Sequence, residues 1–208
     1  MHHKTDACIA GNFYNKYTSQ NPLVKLLISR FQSSLDKLLA KTNAHDIHEI
    51  GCGEGYLCIP LAKTKRTIRG SDISSRIIDV AQKHAAEENV SISFQTIDIY
   101  DLDPDKDAAG LIICCEVLEH LPDPHKALEL LSRLAKPYAI ISVPQEPLWS
   151  YLNMLRGKYW AQGGNTPGHI QRWSKESFIT IAGKYFDIEE TCSPLPWTML
   201  LCRSKKSK

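Results

Sequence analysis

Three glycines at alternate positions, Gly51, Gly53 and Gly55, close the stretch "IHEIGCGEGYL" at residues 47–57. An apolar run that carries one carboxylate, Glu49, ends there. A tight strand-to-helix turn needs one glycine. Three at this spacing point to a backbone that a ligand touches directly. A loop of this kind after the first strand fits an open parallel sheet, whose ligands lie at the carboxyl ends of the strands where strand order reverses.

The rest of the chain keeps that rhythm. Residues 22–41 place Leu23, Leu26, Leu27, Phe31, Leu35, Leu38 and Leu39 at helical spacing behind Pro22. This predicts an amphipathic helix that packs on the domain or covers its mouth. "DIHEI", "TIRGSD", "SISFQTID", "GLIICC" and "YAIISVP" read as five strands. They alternate with helices begun by "GYLCIPLAK", "SSRIIDVAQKHAAEEN" and "DPHKALELLSRLAK". "GLIICC" is apolar on both faces, as a central strand between two helical layers should be. Right-handed crossovers then give a parallel sheet. Residues 145–173 break the pattern with Trp149, Tyr151, Tyr159, Trp160 and Trp173 set among glycines and prolines, which suits a binding region. A helix near 174–183 and an antiparallel hairpin, "YFDIEETCS" with "WTMLLCRS", close the chain.

Composition narrows the function classes. Net charge is +2, from 25 basic and 23 acidic residues, too balanced for an obligate nucleic-acid partner. The basic cluster Lys63, Lys65, Arg66 and Arg69 reads as solvated surface, and the tail from Arg203 to Lys208 as a frayed end. No apolar run reaches the roughly 18 residues of a membrane span. The N-terminus lacks the pattern of an export signal, and His2 and His3 are given no role. The seven cysteines form no Cys-x-x-Cys pair and read as reduced, mostly buried thiols, so a cytoplasmic location is expected.

The residues around the loop choose between ligand classes. A dinucleotide loop wants G-x-G-x-x-G, and its third glycine would fall at Tyr56. Glu49, two residues before the first glycine, would repel a pyrophosphate but suits a cation. S-adenosylmethionine is a cation without phosphate. Asp72, 21 residues after Gly51 at a strand end, is placed to accept both ribose hydroxyls, with helix capping as its alternative role. Asp98 can accept from an adenine amino group, with Ile99 against the ring.

"HEIGCGEG", "GSDIS", "TIDIYDL" and "IICCEVLEHLPDP" in this order resemble the successive motifs of class I S-adenosylmethionine-dependent methyltransferases. The flavour is that of the group that includes the ubiquinone-biosynthesis O-methyltransferases. The resemblance covers residues 46–143 and runs more loosely to 203. It implies a Rossmann-like, doubly wound α/β fold of seven strands, mostly parallel, with an antiparallel last strand and helices on both faces. It also implies cofactor contacts at Glu49, Gly51, Gly53, Asp72, Ile73, Asp98, Ile99 and Cys115. Cys52 lies within the same loop, where Cys52 and Cys114 read as small apolar residues. Glu49 is a departure, since the family more often has Asp there.

The expected organisation is one domain over 1–208. It comprises a helical cap at 1–44, a cofactor-binding core at 45–143, an acceptor-side insertion at 144–173 and a closing helix and strands at 174–208. The expected activity is methyl transfer to a small or medium acceptor at oxygen. A ring, sugar or lipid-linked compound suits the aromatic insertion. The alternatives are a nicotinamide-dependent oxidoreductase and a catalytically silent cofactor-binding subunit.

A helical turn through "CCEVLEHLPDP" would put Glu116, Glu119 and His120 on one face. With His169 these residues can hold a divalent metal such as Mg or Mn, a pattern that resembles the metal site of small-RNA 2′-O-methyltransferases. Alternatively, Glu119, His120 and His169 serve as acid–base or hydrogen-bonding groups toward the acceptor. Arg172 is a further candidate on that side, and Trp173 reads as a core anchor.

Overall fold

A computed structural model describes residues 19–157, 159–166 and 168–205. The N-terminal segment with His2 and His3, and the end of the basic tail, lie outside the described residues.

Helix α1 (Pro22–Leu39) starts where Asn21 accepts from the Leu23 amide, with Pro22 in the first turn where its missing N–H costs nothing. Then follow β1 (Asp46–Ile50), α2 (Cys58–Ala62), β2 (Thr67–Asp72), α3 (Ser75–Glu87), β3 (Ser93–Thr96), β4 (Ala109–Cys115), α4 (Pro124–Leu134) and β5 (Ala135–Pro144). The chain closes with α5 (Leu148–Leu155), α6 (Lys175–Ala182), β6 (Phe186–Cys192) and β7 (Trp197–Ser204). Helix α5 is an addition to the sequence expectation. It stands inside the aromatic insertion, where the glycines and prolines masked its short apolar period.

The seven strands lie in the order β3-β2-β1-β4-β5-β7-β6. Strands β1 to β5 run parallel, and β7 is antiparallel to both β5 and β6. The last strand therefore inserts between β5 and β6, and the closing hairpin ends the sheet as expected. Strand order reverses at β1 and β4, so the crevice opens above their carboxyl ends. Because β7 runs backward, Trp197 at its start pairs with Pro144 at the end of β5 and reaches that same rim.

Alternate side chains build two cores. Ile47, Leu111, Ile113, Ile140, Met199 and Leu201 face α1, through Ile28, Phe31 and Leu35, and also α2 and α3. Ile50, Ile112, Cys114, Ile141 and Leu200 face α4 and α6. Each fully buried Leu or Ile contributes about 1.5–3 kcal/mol relative to exposure. Helix α1 packs against the sheet, with Phe31 edge-on to Trp197 at 5.2 Å between ring centroids. Trp173 anchors the other face against Phe178, 5.9 Å away.

Lys63 and Lys65 are exposed as expected, whereas the two arginines of the cluster and the described part of the tail differ from the sequence expectation. Arg69 donates to the carbonyls of Ala108 and Lys106, and Arg66 to that of Ala44. They tie strand starts and loops at the edge of the sheet away from the crevice. Arg203 lies within β7 and bonds Glu189 and Tyr138, and Lys205 caps the carbonyls of Gly183 and Lys184. The described part of the tail is therefore fastened down by carbonyls and a carboxylate that only the folded chain brings together.

Candidate active site

The glycine loop leaves β1 through Gly51, whose φ of +73° lies in the left-handed region. A Cβ there would stand 2.2 Å from Val117 Cγ2, so the turn after β4 fills the space of the missing side chain. Four loop amides are engaged within the protein. Gly51 and Cys52 both donate to the Ser71 carbonyl, at 2.7 and 2.9 Å, and Gly55 donates to that of Cys52 at 3.0 Å. Gly53 donates to Asp72 Oδ2 at 3.0 Å. The other oxygen, Oδ1, accepts from the Ser74 amide at 3.0 Å. Asp72 is thus fixed at the end of β2 as a bracket between loop and helix entry, while Ser74 is the side-chain cap of α3.

Glu49 lies in β1 and is 3% exposed. Its Oε2 accepts from the Cys58 thiol at 2.7 Å. Burial pushes the Glu49 carboxyl from its ordinary 4.5 up to about 8, against the opposing effect of the Cys58 bonds. The Cys58 thiol is itself pushed up by contact with Cys52, by burial and by Glu49. Cys52 and Cys115 are buried in the core facing α1. Beyond Asp72, Ile73 is 58% exposed at the crevice. Asp98 accepts from the Tyr100 amide at 3.0 Å, and Ile99 is buried in the core facing α4. The Cys58 bond was invisible in sequence because nothing in the spacing marks a thiol that points back at the strand.

The turn after β4 departs from the expected helical face. Glu116 has φ +61°, and only Leu118–His120 form a 3₁₀ turn. A left-handed residue ends the i, i+3, i+4 relation, and Glu116 is not among the ligand atoms that Glu119, His120 and His169 bring together. Its Oε2 accepts from Trp197 Nε1 at 2.6 Å. The metal-ligand expectation for Glu116 is corrected accordingly. Glu119, His120 and His169 do come together, each with a ligand atom within 4.8 Å of the others. Glu119 is 1% exposed. The His120 and His169 rings meet edge to face at 4.9 Å, and Trp149 stacks on His169 at 6.0 Å. Trp149 also lies 5.9 Å from Trp197. An aromatic wall thus joins α1 to the histidine pair.

Arg172 does not join that group. Its Nη2 donates to Ser150 Oγ at 2.9 Å and its Nε lies 3.5 Å from Glu146, so it braces the insertion. Trp197→Phe is expected to cost about 1 kcal/mol by removing the indole N–H from Glu116. Thermal denaturation at matched pH measures this loss.

Among the described residues no helix is long and apolar enough to cross a membrane. Residues 47–138 match a family model described as a methyltransferase domain. The chain is 39% identical over 89 residues to a ubiquinone biosynthesis O-methyltransferase of Coxiella burnetii, covering 43% of this chain and 38% of that protein. It is 30% identical over 149 residues to the protein of that name from Alkalilimnicola ehrlichii, covering 65% and 60%. In both cases the chain spans less than two thirds of the relative's length. The crystal structure of magnesium protoporphyrin IX methyltransferase from Synechocystis PCC 6803, with bound S-adenosylhomocysteine, superposes with a TM-score of 0.68 at 25% identity. That superposition covers 90% of this chain and 89% of that one.

Proposed function

We propose that this chain is a class I S-adenosylmethionine-dependent methyltransferase that methylates a small or medium acceptor at oxygen, a reading supported by its fold and by the methyltransferase domain matched at residues 47–138. One observation carries the choice of cofactor. The loop amides that would cradle a pyrophosphate are committed to Ser71, Cys52 and Asp72, and a buried carboxyl stands behind them. This chemistry suits a cationic nucleoside and opposes a dinucleotide. Glu49 would serve the amino-acid end and Asp72 the ribose. Ile73, Asp98 and Ile99 would border the adenine, with Gly51, Cys52, Gly53 and Cys115 lining the space between. S-adenosylmethionine supplies a methyl group already activated by a sulfonium. The protein aligns the acceptor oxygen, excludes water and accepts the proton.

His120 is the proposed proton acceptor, with Glu119 and His169 beside it. His120→Ala should spare cofactor affinity and lower methyl transfer. The relatives' names support oxygen as the attacking atom and a ring-bearing acceptor. The proposed division is a cap, a core, an insertion at 144–173 on the acceptor side, and closing elements. Thermal shift with S-adenosylmethionine against NAD tests the whole reading. Only the former should raise the melting temperature. A rise with NAD alone would favour the oxidoreductase. Cofactor binding without methyl transfer to any acceptor would favour a silent partner subunit.

The grouping of Glu119, His120 and His169 within 4.8 Å supports a second use of the same residues. One carboxylate and two imidazoles form a donor set that fits a divalent ion such as Mn or Mg. These three side chains would hold the ion, which would lower the pKa of an acceptor hydroxyl. Mn(II) titration followed by electron paramagnetic resonance should show a bound ion that His169→Ala releases. An unchanged free-ion signal would leave the acid–base role alone.

A further inference from the structure

The turn that carries His120 is stitched to a segment 48 to 51 residues further along the chain. The Ile170 and Gln171 amides both donate to the Glu119 carbonyl, at 2.8 and 3.0 Å. The Gln171 side chain donates from Nε2 to the Leu121 carbonyl at 3.2 Å. His120 Nδ1 lies 2.9 Å from the Gly168 carbonyl. A carbonyl oxygen can only accept, so Nδ1 must carry the proton and the lone pair of the neutral ring resides on Nε2. A 3₁₀ turn leaves its last carbonyls without partners of their own. Here the 170–171 segment takes up the carbonyls on both sides of His120.

We propose that Gln171 is a positioning residue that, together with the Gly168 carbonyl, locks His120 in the Nδ1–H tautomer, so that Nε2 is its basic nitrogen. Gln171 braces Leu121 while Gly168 reads the ring, so residues flanking His120 and its own Nδ1 are all held by 168–171. The ring cannot exchange its two nitrogens without giving up the Gly168 bond. Insertion and acid–base residue are thereby one mechanical unit. The use made of Nε2 rests on the methyltransferase reading, but the tautomer itself does not.

The test is long-range ¹H–¹⁵N NMR of the imidazoles in the full chain, with the His120 signals assigned by their loss in His120→Gln. In the wild type, the neutral His120 ring should show the Nδ1–H pattern. Gln171→Met should raise the share of the Nε2–H form about fivefold, the equivalent of one ordinary hydrogen bond. Gln171→Glu, whose carboxylate cannot donate to Leu121, should do the same if the Met variant does not fold. An Nε2–H pattern in the wild type would overturn the tautomer assignment. Unchanged tautomer shares in the folded variants would overturn the role of Gln171. Calorimetry with S-adenosylmethionine on the same wild-type sample separates the two ideas, since absent heat would sink the cofactor reading and leave the tautomer result standing.

Discussion

Asp72→Ala is expected to weaken S-adenosylmethionine binding by about tenfold to a hundredfold, the equivalent of losing one or two hydrogen bonds to a charged acceptor. The effect has two sources in the same side chain. The proposed ribose contact disappears, and so does the bracket that joins Gly53 to Ser74. Released from Oδ2, the Gly53 amide no longer fixes the middle of the loop, and the Ser74 amide at the entry to α3 loses its acceptor. Asp72→Asn keeps one acceptor oxygen and should fall between the wild type and the Ala variant. Isothermal calorimetry at constant pH reads all three. Equal affinities across the series would mean that the ribose lies elsewhere and that Asp72 serves the loop alone.

The glycine loop and the acids around it were legible in sequence because each element of them is local. Glycines at 51, 53 and 55, a carboxylate two residues earlier and an acid at the next strand end are all set by position along one chain direction. The strand alternation was legible for the same reason, since a buried parallel strand and an amphipathic helix each carry their own period. What sequence missed depends on geometry between distant segments. Glu116 looked helical by spacing, but its left-handed backbone turns it toward Trp197, 81 residues away. Trp149 read as part of the binding insertion and Trp197 only as the start of a strand, and their contact stayed hidden until the reversed β7 brought Trp197 to the rim. Gln171 carried no signal, because an amide that serves a carbonyl 50 residues away leaves no trace in a motif. Arg66 and Arg69 looked like solvated charges because the carbonyls they cap belong to other strand ends.

Glu49 should make both folding and cofactor binding depend on pH, and in opposite senses. The unfolded chain loses the Glu49 proton near 4.5, whereas burial holds it in the folded chain up to about 8. Between these values the native state binds the extra proton, so stability is greatest below the window and falls as pH rises through it. Above about 8 both states are ionised and this loss is complete. A ligand ammonium prefers the ionised carboxylate. Binding below pH 8 should therefore expel the proton, and affinity should climb by up to about tenfold per pH unit before it levels off. Glu49→Gln keeps the shape and removes the titration. Its affinity should be weaker at pH 8, and the difference from wild type should shrink toward pH 6, which cancels any titration of the ligand itself. The variant should also lose the fall in melting temperature across the window. Calorimetry in buffers of unlike ionisation heat counts the released protons directly. Equal proton release by wild type and Glu49→Gln, with parallel affinity profiles, would show that Glu49 does not face the charged end of the ligand.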